Sequence, residues 1–568
     1  MHIHDVLIIG AGPCGLAVAA RLREHTPSAT FTDDEHQRFH WIRKHGGRMN
    51  LKNHRTKKTF LPTLPRTNGS ATCGCKEGPS PNGGINMLVL DADGGDWMTK
   101  WNRLFKTFGI QNLRSPMFFH VDPADRDALL GYTYEKQRET ELQALPGCAG
   151  KELSKHRKKK KMHERGKVSG SGPDIDERDR KDYFTPSAQL FSDHCAEIVK
   201  RYALGNDLVR QERVIDLEYN KVSSFHDLEP ESIKADGSYD DDRRVFRVTT
   251  DQGARLASVV ILAVGPGNAP SIPLIPGLPC GGNSHEGYCH AMQIKQFPPP
   301  YVAAKIRKHQ TTNMLIVGGG LTSVQLADLA IKRGVSKVWL LMRGPVKVKY
   351  FDVELDWVGK FRNFKQAAFW TADTDQERSE MIMQARNGGS ITPRYRKILD
   401  TYTTSGKISL HTHTTLQSLS WDTSAKVWTT IESAPPNTFP SIDYMVFATG
   451  IQSNIETLPF LQAFQEQHPI NCAGYLPCIN DDLMWSDDIP LFVTGRLVGL
   501  RLGPGAPNLV GARIGAERIA WNVEDVLQKM GRRFSTGLGD DSDSDSDSEK
   551  LHEYACARRN RFDSLVES

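Results

Sequence analysis

Two glycine-rich stretches constrain the fold of this chain more than any other feature of its sequence. DVLIIGAGPCGLAVAARLRE begins at Asp5, and NMLIVGGGLTSVQLADLAIKRG begins at Asn313. Each stretch has an apolar run, a glycine turn and an apolar-periodic run, which is the order of a β-strand, a tight turn and an α-helix. We therefore predict an α/β fold with two dinucleotide-binding, Rossmann-like domains.

The first loop carries the spacing G-x-G-x-x-G at Gly10, Gly12 and Gly15. The first glycine permits the tight turn, the second lets the backbone approach a pyrophosphate, and the third allows the helix to lie close to the strand. The strand ATFT follows the helix, and Asp33 after it is the best candidate to bind a ribose hydroxyl, with Asp34 next. We therefore expect the first loop to bind a dinucleotide; the alternative is a fold that keeps the loop without its cofactor.

The second loop matches the same spacing at Gly318 and Gly320, but its third position is Ser323. Serine is small and still permits helix packing, although less closely. The strand that follows, SKVWLLM, ends at Arg343 instead of an acid. A guanidinium group there suits a 2′-phosphate through charge-assisted hydrogen bonds, whereas an acid suits a free 2′-hydroxyl. The loop therefore favours NADPH, held by these residues and Thr322; the alternative is that Arg343 is a solvated residue at the strand end.

A tightly held dinucleotide and an exchangeable phosphorylated one in the same chain imply hydride transfer from NADPH to a flavin, so the first loop is expected to hold FAD. A dithiol acceptor would need a C-x-x-C or C-x-x-x-x-C pair near the flavin or in the nicotinamide domain, and neither spacing occurs there. Cys14 has no nearby partner and is expected to pack the helix start. Cys73 and Cys75 lack the second Cys/His pair of a zinc site. The sequence predicts no metal site and assigns no catalytic residue.

The composition sets broader limits. With 568 residues and 39% hydrophobic content, the chain is expected to form two or three domains. Much of its formal net charge of +5 comes from one short basic run, so it does not indicate nucleic-acid binding. No apolar run approaches the ~18–20 residues needed to span a bilayer, and MHIH leads directly into a strand without a signal peptide. We expect a cytoplasmic protein, or a nuclear one if the basic run at 156–161 acts as an import signal.

The order of the two loops suggests how the domains follow one another. A first, FAD-binding domain is expected over 1–300, and an NADPH-binding domain inserted in it over 301–450. Residues 451–530 are expected to return to the first domain. Each domain has its glycine loop first and an apolar strand ending in glycine later, which indicates a duplicated layout.

Three stretches are expected to lie outside these cores. An insertion at 65–84 is rich in Gly, Pro and Ser, and another at 150–181 is nearly devoid of large apolar residues. The tail at 531–568 contains DDSDSDSDSE, whose like charges repel one another, and we expect it to be disordered.

Several segments, in the same order along the chain, resemble the class B flavin monooxygenases, in particular the N-hydroxylating branch that includes ornithine and lysine hydroxylases. They are GAGPCG, VVILAVGPGNAPSIP, HEGYCHAM, VGGGLTS and DYMVFATG. The stretches LRSPMFFHVDP and DYFTPSAQLF are similar to segments of ornithine-hydroxylase-like proteins of unassigned substrate. The resemblance spans about residues 1–530 without the insertions.

The resemblance implies roles for further residues near the cofactors. Thr449 and Gly450, in the A-T-G strand, would link the two domains behind the cofactors. The closing segment PLFVTGRLVGLRLGPGAPNL has a strand that ends at Gly495, and its GPGAPNL would bring the start of a last helix, at Asn508 and Leu509, toward the flavin ring. A proline just before this helix suits such a start.

The resemblance also implies a reaction. In this family NADPH reduces FAD, O₂ adds to the flavin to give a C4a-hydroperoxide, and a small nucleophilic substrate takes one oxygen atom. The partners would then be a small-molecule substrate and O₂, and the chain is compatible with a homo-oligomer. N-hydroxylation of an amine is favoured, although S-oxidation and Baeyer–Villiger chemistry stay open.

Two departures from the family pattern bear on the substrate. The motif F-x-G-x-x-x-H is degraded here, so that His290 is either a domain-linking residue or a surface histidine. Where ornithine hydroxylases have an F-V-N-E stretch, this chain has VKYFDVELDW, with Asp352 and Glu354 but no asparagine. These carboxylates are either ligands of a cationic amine or solvated residues at a helix start.

Two other functions are compatible with the sequence. One is an NADPH–flavin oxidoreductase or oxidase that reduces a quinone or O₂ without inserting oxygen. The other is a regulatory protein that keeps the fold and binds partners through its basic run and acidic tail.

Overall fold

The computed structural model describes residues 2–24, 84–124, 126–145, 148, 183–205, 207–225, 243–265, 267, 270–279, 286–359, 362–451 and 453–530. Several expectations fall outside these residues. They concern Asp33, Asp34, Cys73, Cys75, the basic run, nearly all of the 65–84 insertion, and the 150–181 and 531–568 segments.

The strands are β1 (Ile3–Ile9), β2 (Met87–Asp91), β3 (Gln143–Ala144), β4 (Phe184–Thr185), β5 (Val209–Gln211), β6 (Val214–Lys221), β7 (Arg244–Thr250), β8 (Gly253–Leu262), β9 (Tyr288–His290), β10 (Asn313–Val317), β11 (Lys337–Met342), β12 (Ile408–Thr412), β13 (Thr415–Asp422), β14 (Val427–Ala434), β15 (Tyr444–Phe447), β16 (Cys472–Ala473), β17 (Leu476–Pro477), β18 (Met484–Ser486) and β19 (Ile489–Val493).

The α-helices are α1 (Pro13–Arg23), α2 (Thr99–Phe108), α3 (Ala128–Glu135), α4 (Ala188–Arg201), α5 (Pro300–Arg307), α6 (Leu321–Lys332), α7 (Arg362–Trp370), α8 (Asp375–Arg386), α9 (Pro393–Thr404), α10 (Gln462–Gln467), α11 (Gly499–Leu502) and α12 (Leu509–Lys529).

The first sheet has eight strands, six of them in the order β18-β19-β8-β1-β2-β5. The strands from β19 to β5 are parallel, and β1 lies between β8 and β2. The pairs β7–β8 and β6–β7 are antiparallel. The inner strands are continuous apolar runs because helices cover both faces of such a sheet. Ile8 at the centre, for example, pairs with Val89 on one side and Ile261 on the other and is fully buried.

Helices α1 and α12 pack against each other beside the first sheet. Their apolar residues join the main core with those of the sheet. A buried ion pair also connects the two helices, because Arg21 Nε lies 2.6 Å from Glu517 Oε2. The start of the first domain is therefore held by the segment that the sequence analysis placed after the second domain.

The second sheet has five parallel strands in the order β12-β11-β10-β15-β9. Helices α6 and α9 pack against each other beside it, and a second core forms between this sheet and its helices. The antiparallel hairpin β13–β14 contributes the buried Trp428 to a third core that includes residues of the same sheet. The two strand–turn–helix units and the α/β fold with two Rossmann-like sheets are thus confirmed. The domain boundaries at 300 and 450 stay a prediction, and the second sheet runs from Tyr288 to Phe447.

The chain between β11 and β12 crosses from the second sheet to the first core. Phe351, Val353 and Val358 belong to the main core of the first sheet. Further along, α8 packs against α11, and Phe369 and Ile382 cluster with Leu500 of the closing segment. Residues from both halves of the chain therefore share these cores.

Candidate functional site

The first glycine loop joins β1 to α1 in a tight turn. Gly10 has φ of +113°, and a Cβ there would lie 2.4 Å from the carbonyl oxygen of Ala263, so no other residue fits. A Cβ on Gly15 would lie 2.0 Å from the carbonyl oxygen of Gly10. The spacing of these glycines therefore reflects a close approach of α1 to β1, as the sequence analysis expected.

Gly12 differs from the other two glycines because a Cβ there would meet no described residue. Apart from its chain neighbours and the backbone of its own helix, no atom of the described residues lies within 4 Å of that position. Gly12 is also the N-cap of α1, and no side chain caps the helix there. Free backbone N–H groups and the positive end of a helix dipole suit an anion. The loop thus fits the pyrophosphate of a dinucleotide.

An acid that the sequence analysis did not consider lies beside this loop. Asp91 is the last residue of β2, the strand next to β1. The backbone N–H of Ala11 donates to Asp91 Oδ2 at 2.7 Å, and that of Asp93 donates to Oδ1 at 2.7 Å. Asp91 thus occupies the edge of the sheet where Rossmann domains place the acid that binds ribose. The run MLVLD, four apolar residues followed by an acid, was the signal that could have identified it.

The second loop repeats the geometry of the first. Gly318 has φ of +151°, and a Cβ there would lie 2.4 Å from the carbonyl oxygen of Ala448. Gly320 is the N-cap of α6, again without a side-chain cap, and Thr322 lies in the first turn of that helix. The hydroxyl of Ser323 is buried and donates to the carbonyl oxygen of Gly320 at 2.7 Å. The serine therefore fits at the third position by bonding to the loop itself.

Arg343 lies immediately after β11, at the carboxyl edge of the second sheet. Its side chain is exposed, and it forms no hydrogen bond or ion pair with any residue that the structure describes. Strand β11 lies next to β10, which leads into the second glycine loop. A guanidinium group at this place can bind a phosphate on the ribose of a dinucleotide.

Thr449 and Gly450 follow β15 and connect the two sheets. The Thr449 hydroxyl donates to the carbonyl oxygen of Ser271, in the segment that follows β8. The backbone N–H of Ser271 donates to the carbonyl oxygen of Gly450 at 3.1 Å. These two bonds join the chain leaving the first sheet to the chain leaving the second.

His290 is the last residue of β9, where it pairs with Phe447. It is buried, so the expectation of a surface histidine is wrong. Its Nδ1 accepts from the backbone N–H of Met292 at 3.2 Å. Burial lowers the pKa of His290 to about 4, which keeps the ring neutral at pH 7.

The closing segment brings a turn and a helix start back to the first loop. Gly495, with φ of +75°, follows β19, and a Cβ there would lie 3.2 Å from Cys14 Sγ in the first loop. Asn508 is the N-cap of α12 and Leu509 its first residue. Burial raises the pKa of Cys14 to about 11, so this thiol is a packing residue, as expected.

The two acids proposed as amine ligands are already paired. Asp352 Oδ2 lies 2.9 Å from Arg386 Nη2, and Glu354 Oε1 lies 3.9 Å from Lys349 Nζ. Glu354 immediately precedes the short 3-10 helix Leu355–Trp357. This placement agrees with the alternative that the acids stand at a helix start, and Asp352 is the more closely paired of the two.

Among the residues that the structure describes, no three His, Cys, Asp or Glu side chains are arranged to hold a metal ion. Within the same residues, no helix is both long and apolar enough to cross a bilayer.

Comparisons with known proteins address the fold. No protein-family model matches the sequence, and no curated protein matches it. Solved structures do match. The cadaverine monooxygenase DfoA from Erwinia amylovora, bound to FAD, aligns over 92% of this chain and 95% of its own, with a TM-score of 0.53 and 15% identity. The ornithine hydroxylase PvdA from Pseudomonas aeruginosa aligns over 93% of this chain and 100% of its own, with a TM-score of 0.53 and 13% identity.

A third match is the ornithine N-hydroxylase KtzI from Kutzneria, with reduced FAD, NADP⁺ and L-ornithine. It aligns over 92% of this chain and 99% of its own, with a TM-score of 0.53 and 14% identity. The chain has the fold of the N-hydroxylating class B flavin monooxygenases. At these identities the likeness concerns the fold, and it confirms the resemblance that the sequence motifs indicated.

Proposed function

We propose that the protein is an NADPH-dependent flavoprotein monooxygenase. FAD would bind at the first loop, with its pyrophosphate at Gly12 and the start of α1, and NADPH at the second loop. The observation that carries this proposal is that both helix N-termini lack a side-chain cap, while no described residue covers the position of a Cβ on Gly12. When bound, NADPH supplies a hydride to FAD, and the reduced flavin activates O₂ for transfer of one oxygen atom to a nucleophile.

The residues of the chain would bind and orient the two cofactors. Gly10 and Gly15 allow the tight turn and the close packing of α1 on β1, and Asp91 accepts from the N–H of Ala11 in that loop. Arg343 would select the phosphorylated nicotinamide dinucleotide through its free guanidinium group. The closing segment would complete the first site with Gly495, Asn508 and Leu509.

The Thr449–Ser271 and Gly450–Ser271 bonds would keep the two sites at a fixed separation. Hydride transfer requires the two rings to meet in one geometry, so this link would act on orientation rather than on the chemical step. We assign no residue as a catalytic acid or base.

We further propose that the substrate is a small amine that is N-hydroxylated. The support is the shared fold with a cadaverine monooxygenase and two ornithine hydroxylases over more than nine tenths of the chain. Cys14 near the first loop also supports oxygen chemistry, because it is a free thiol with a raised pKa and has no cysteine partner among the described residues.

The test is to purify the full chain, measure its FAD content and follow NADPH oxidation with ornithine, lysine, cadaverine, sulfides and ketones. We expect a yellow protein whose product gains one oxygen atom that derives from labelled O₂. NADPH oxidation that yields only hydrogen peroxide with every substrate would favour an oxidase. A colourless protein that takes up no FAD would contradict the proposal and favour a regulatory role.

A further inference from the structure

Two arginines lie where the segments around both proposed cofactor sites meet. Arg386 is the last residue of α8, and Arg496 follows Gly495 in the closing segment. We call Arg386 and Arg496 the arginine pair. The three segments that meet at the pair are the strap at 386–391, the turn at 449–451 and the closing loop at 503–508.

The hydrogen bonds of the pair define its place. Arg386 Nη1 donates to the carbonyl oxygen of Pro504 in the closing loop at 3.3 Å. Arg496 Nη1 donates to the carbonyl oxygen of Ile451, directly after Gly450, at 3.0 Å. Each arginine thus binds a segment that the sequence analysis associated with the cofactors.

The strap itself touches the second glycine loop. A Cβ on Gly389 would lie 3.0 Å from Gly320 Cα and 3.1 Å from Gly320 N. Only a glycine allows this approach without displacing the loop. The arginine pair is therefore connected through three residues of chain to the start of α6, where NADPH would bind, and through Pro504 to the loop that closes the FAD site.

The positive charge of the arginine pair is only partly balanced by described carboxylates. Arg386 Nη2 lies 2.9 Å from Asp352 Oδ2, whereas Arg496 forms no ion pair with any described residue. Asp352 is therefore the described carboxylate that pairs with Arg386 and whose charge also acts on Arg496. The side chains of Arg386 and Asp352 are 26% and 30% exposed, so a ligand can reach them from solvent.

The neighbouring groups add to the excess of positive charge. Arg114 and Lys349 point their donors at backbone carbonyl oxygens of 349–351, 385 and 386, and Glu354 lies 3.9 Å from Lys349. With Lys347, which donates to Asn387 in the strap, five cationic side chains therefore face two carboxylates among the described residues of this region.

This excess affects the titration of the arginines. Burial lowers the pKa of Arg496, and the charge of Arg386 lowers it further, while Asp352 opposes both. Burial lowers the pKa of Arg114 to about 10. The charge of Asp352 opposes this shift, and the charge of Arg386 adds to it. Keeping Arg496 and Arg114 protonated therefore costs free energy, and a bound anion would reduce that cost.

We propose that Arg386 and Arg496 bind an anionic group, a carboxylate or a phosphate, of a ligand of this enzyme. The proposal rests on the proposed function. Asp352 and Glu354 suggested a cationic group on the substrate, whereas the arginine pair indicates an anionic group on a ligand. The planar guanidinium group binds such anions through paired, charge-assisted hydrogen bonds. The anion is carried either by the substrate, as a carboxylate, or by NADPH, as a phosphate.

The test uses the FAD-loaded full chain and three probes: NADP⁺, inorganic pyrophosphate and glutarate. Binding of each probe is measured by calorimetry in chloride-free buffer, for the unaltered protein and for R386Q, R496Q and D352N. We expect R386Q and R496Q each to weaken binding of at least one probe ~10- to 100-fold, because a hydrogen bond between charged groups is lost. D352N should strengthen binding of the same probe, because it removes the competing carboxylate.

The probe that responds identifies the source of the anion. A loss for NADP⁺ and pyrophosphate alone assigns the pair to the cofactor phosphates. A loss for glutarate with unchanged NADP⁺ binding assigns it to an acidic substrate.

A matched control is R518Q. Arg518, within helix α12, is also half-buried and donates to one described backbone carbonyl oxygen, that of Asp481, at 3.0 Å. It should leave the binding of all probes unchanged.

Equal binding of every probe by the unaltered protein, R386Q and R496Q would overturn the inference. FAD uptake and NADPH oxidation are measured on the same samples. If they persist in that case, the proposed function survives and only the role of the arginine pair is wrong.

Discussion

At the residue scale, the first glycine loop depends on an acid that lies outside its motif. Asp91 accepts one hydrogen bond from Ala11 and another from Asp93. Each carboxylate oxygen has a second lone pair, which leaves Asp91 able to accept from a ribose hydroxyl as well. The residue thus combines support of the loop with a place at the carboxyl edge of the sheet.

We predict that D91N weakens FAD binding ~10-fold or more. The charged acceptor of the Ala11 N–H becomes neutral, and a hydrogen bond to a charged group is worth about 1.5–3 kcal/mol. The measurement is the FAD dissociation constant by flavin fluorescence. The control is D93N, because Asp93 pairs with Lys100 and Arg103 at partly exposed positions, where ion pairs contribute little. Equal FAD affinity for the two variants would contradict the role given to Asp91.

The second prediction at this scale concerns Arg343. R343A should raise the KM for NADPH ~10- to 100-fold, because the 2′-phosphate loses its charge-assisted partner. NADH serves as the control within the same variant, since it lacks that phosphate and its KM should not rise. If the KM for both nucleotides changes equally, Arg343 is a solvated residue at the strand end.

At the element scale, the two strand–turn–helix units differ in the residue that lets the helix pack against the strand. In the first, α1 approaches β1 so closely that only glycine fits at position 15. In the second, Ser323 occupies the equivalent place and bonds to Gly320 in its own loop. The motif therefore predicted both units correctly, although it did not show how the serine is accommodated.

We predict that G15A lowers the free energy of unfolding by about 1–3 kcal/mol or more, because the new methyl group overlaps the Gly10 carbonyl oxygen. The matched control is G131A in α3, where the added Cβ would meet no described residue outside its own helix. That variant should stabilise the protein by about 0.5–1 kcal/mol, since alanine favours a helix. Denaturant unfolding of the two variants measures both effects. A G15A protein as stable as G131A would contradict the close packing of α1.

At the scale of the whole molecule, the two halves are joined by contacts between distant parts of the chain. Arg114 donates to the carbonyl oxygens of Lys349, Tyr350, Phe351 and Ser390 and to the Ser390 hydroxyl. One side chain of the first half thus holds two segments of the second. The arginine pair and the strap lie beside these segments, so the proposed anion site depends on this junction.

Buried histidines give the folded molecule a pH dependence. Burial and then the charge of Arg201 lower the pKa of His194 from its ordinary value of 6.5 to about 3. His194 lies 3.9 Å from Asp122 and contacts the rings of His120 and Tyr132. The unfolded chain therefore binds a proton below about pH 6.5 that the folded chain does not bind until about pH 3. Stability is present above that window and is lost as the pH falls through it.

We predict a loss of about 1.4 kcal/mol per pH unit from His194 in this window. H194F removes the titrating ring, so its free energy of unfolding should fall less steeply between about pH 6 and pH 4. The measurement is urea unfolding at several pH values. H309N, at an exposed position, is the control and should follow the unaltered protein. Parallel curves for H194F and the unaltered protein would show that another group controls acid unfolding.

The sequence by itself determined the two strand–turn–helix units and the α/β class, and it proposed the cofactor residues of each loop. These features depend on apolar periodicity and glycine spacing within about twenty residues, and such patterns directly reflect local backbone geometry. Only the tertiary structure decided that Asp91 supports the first loop, that Asp352 is paired with Arg386 and that His290 is buried. Each of these depends on neighbours contributed by distant parts of the chain. Their contacts exist only once the sheets have packed, and no local pattern encodes which charge will face which.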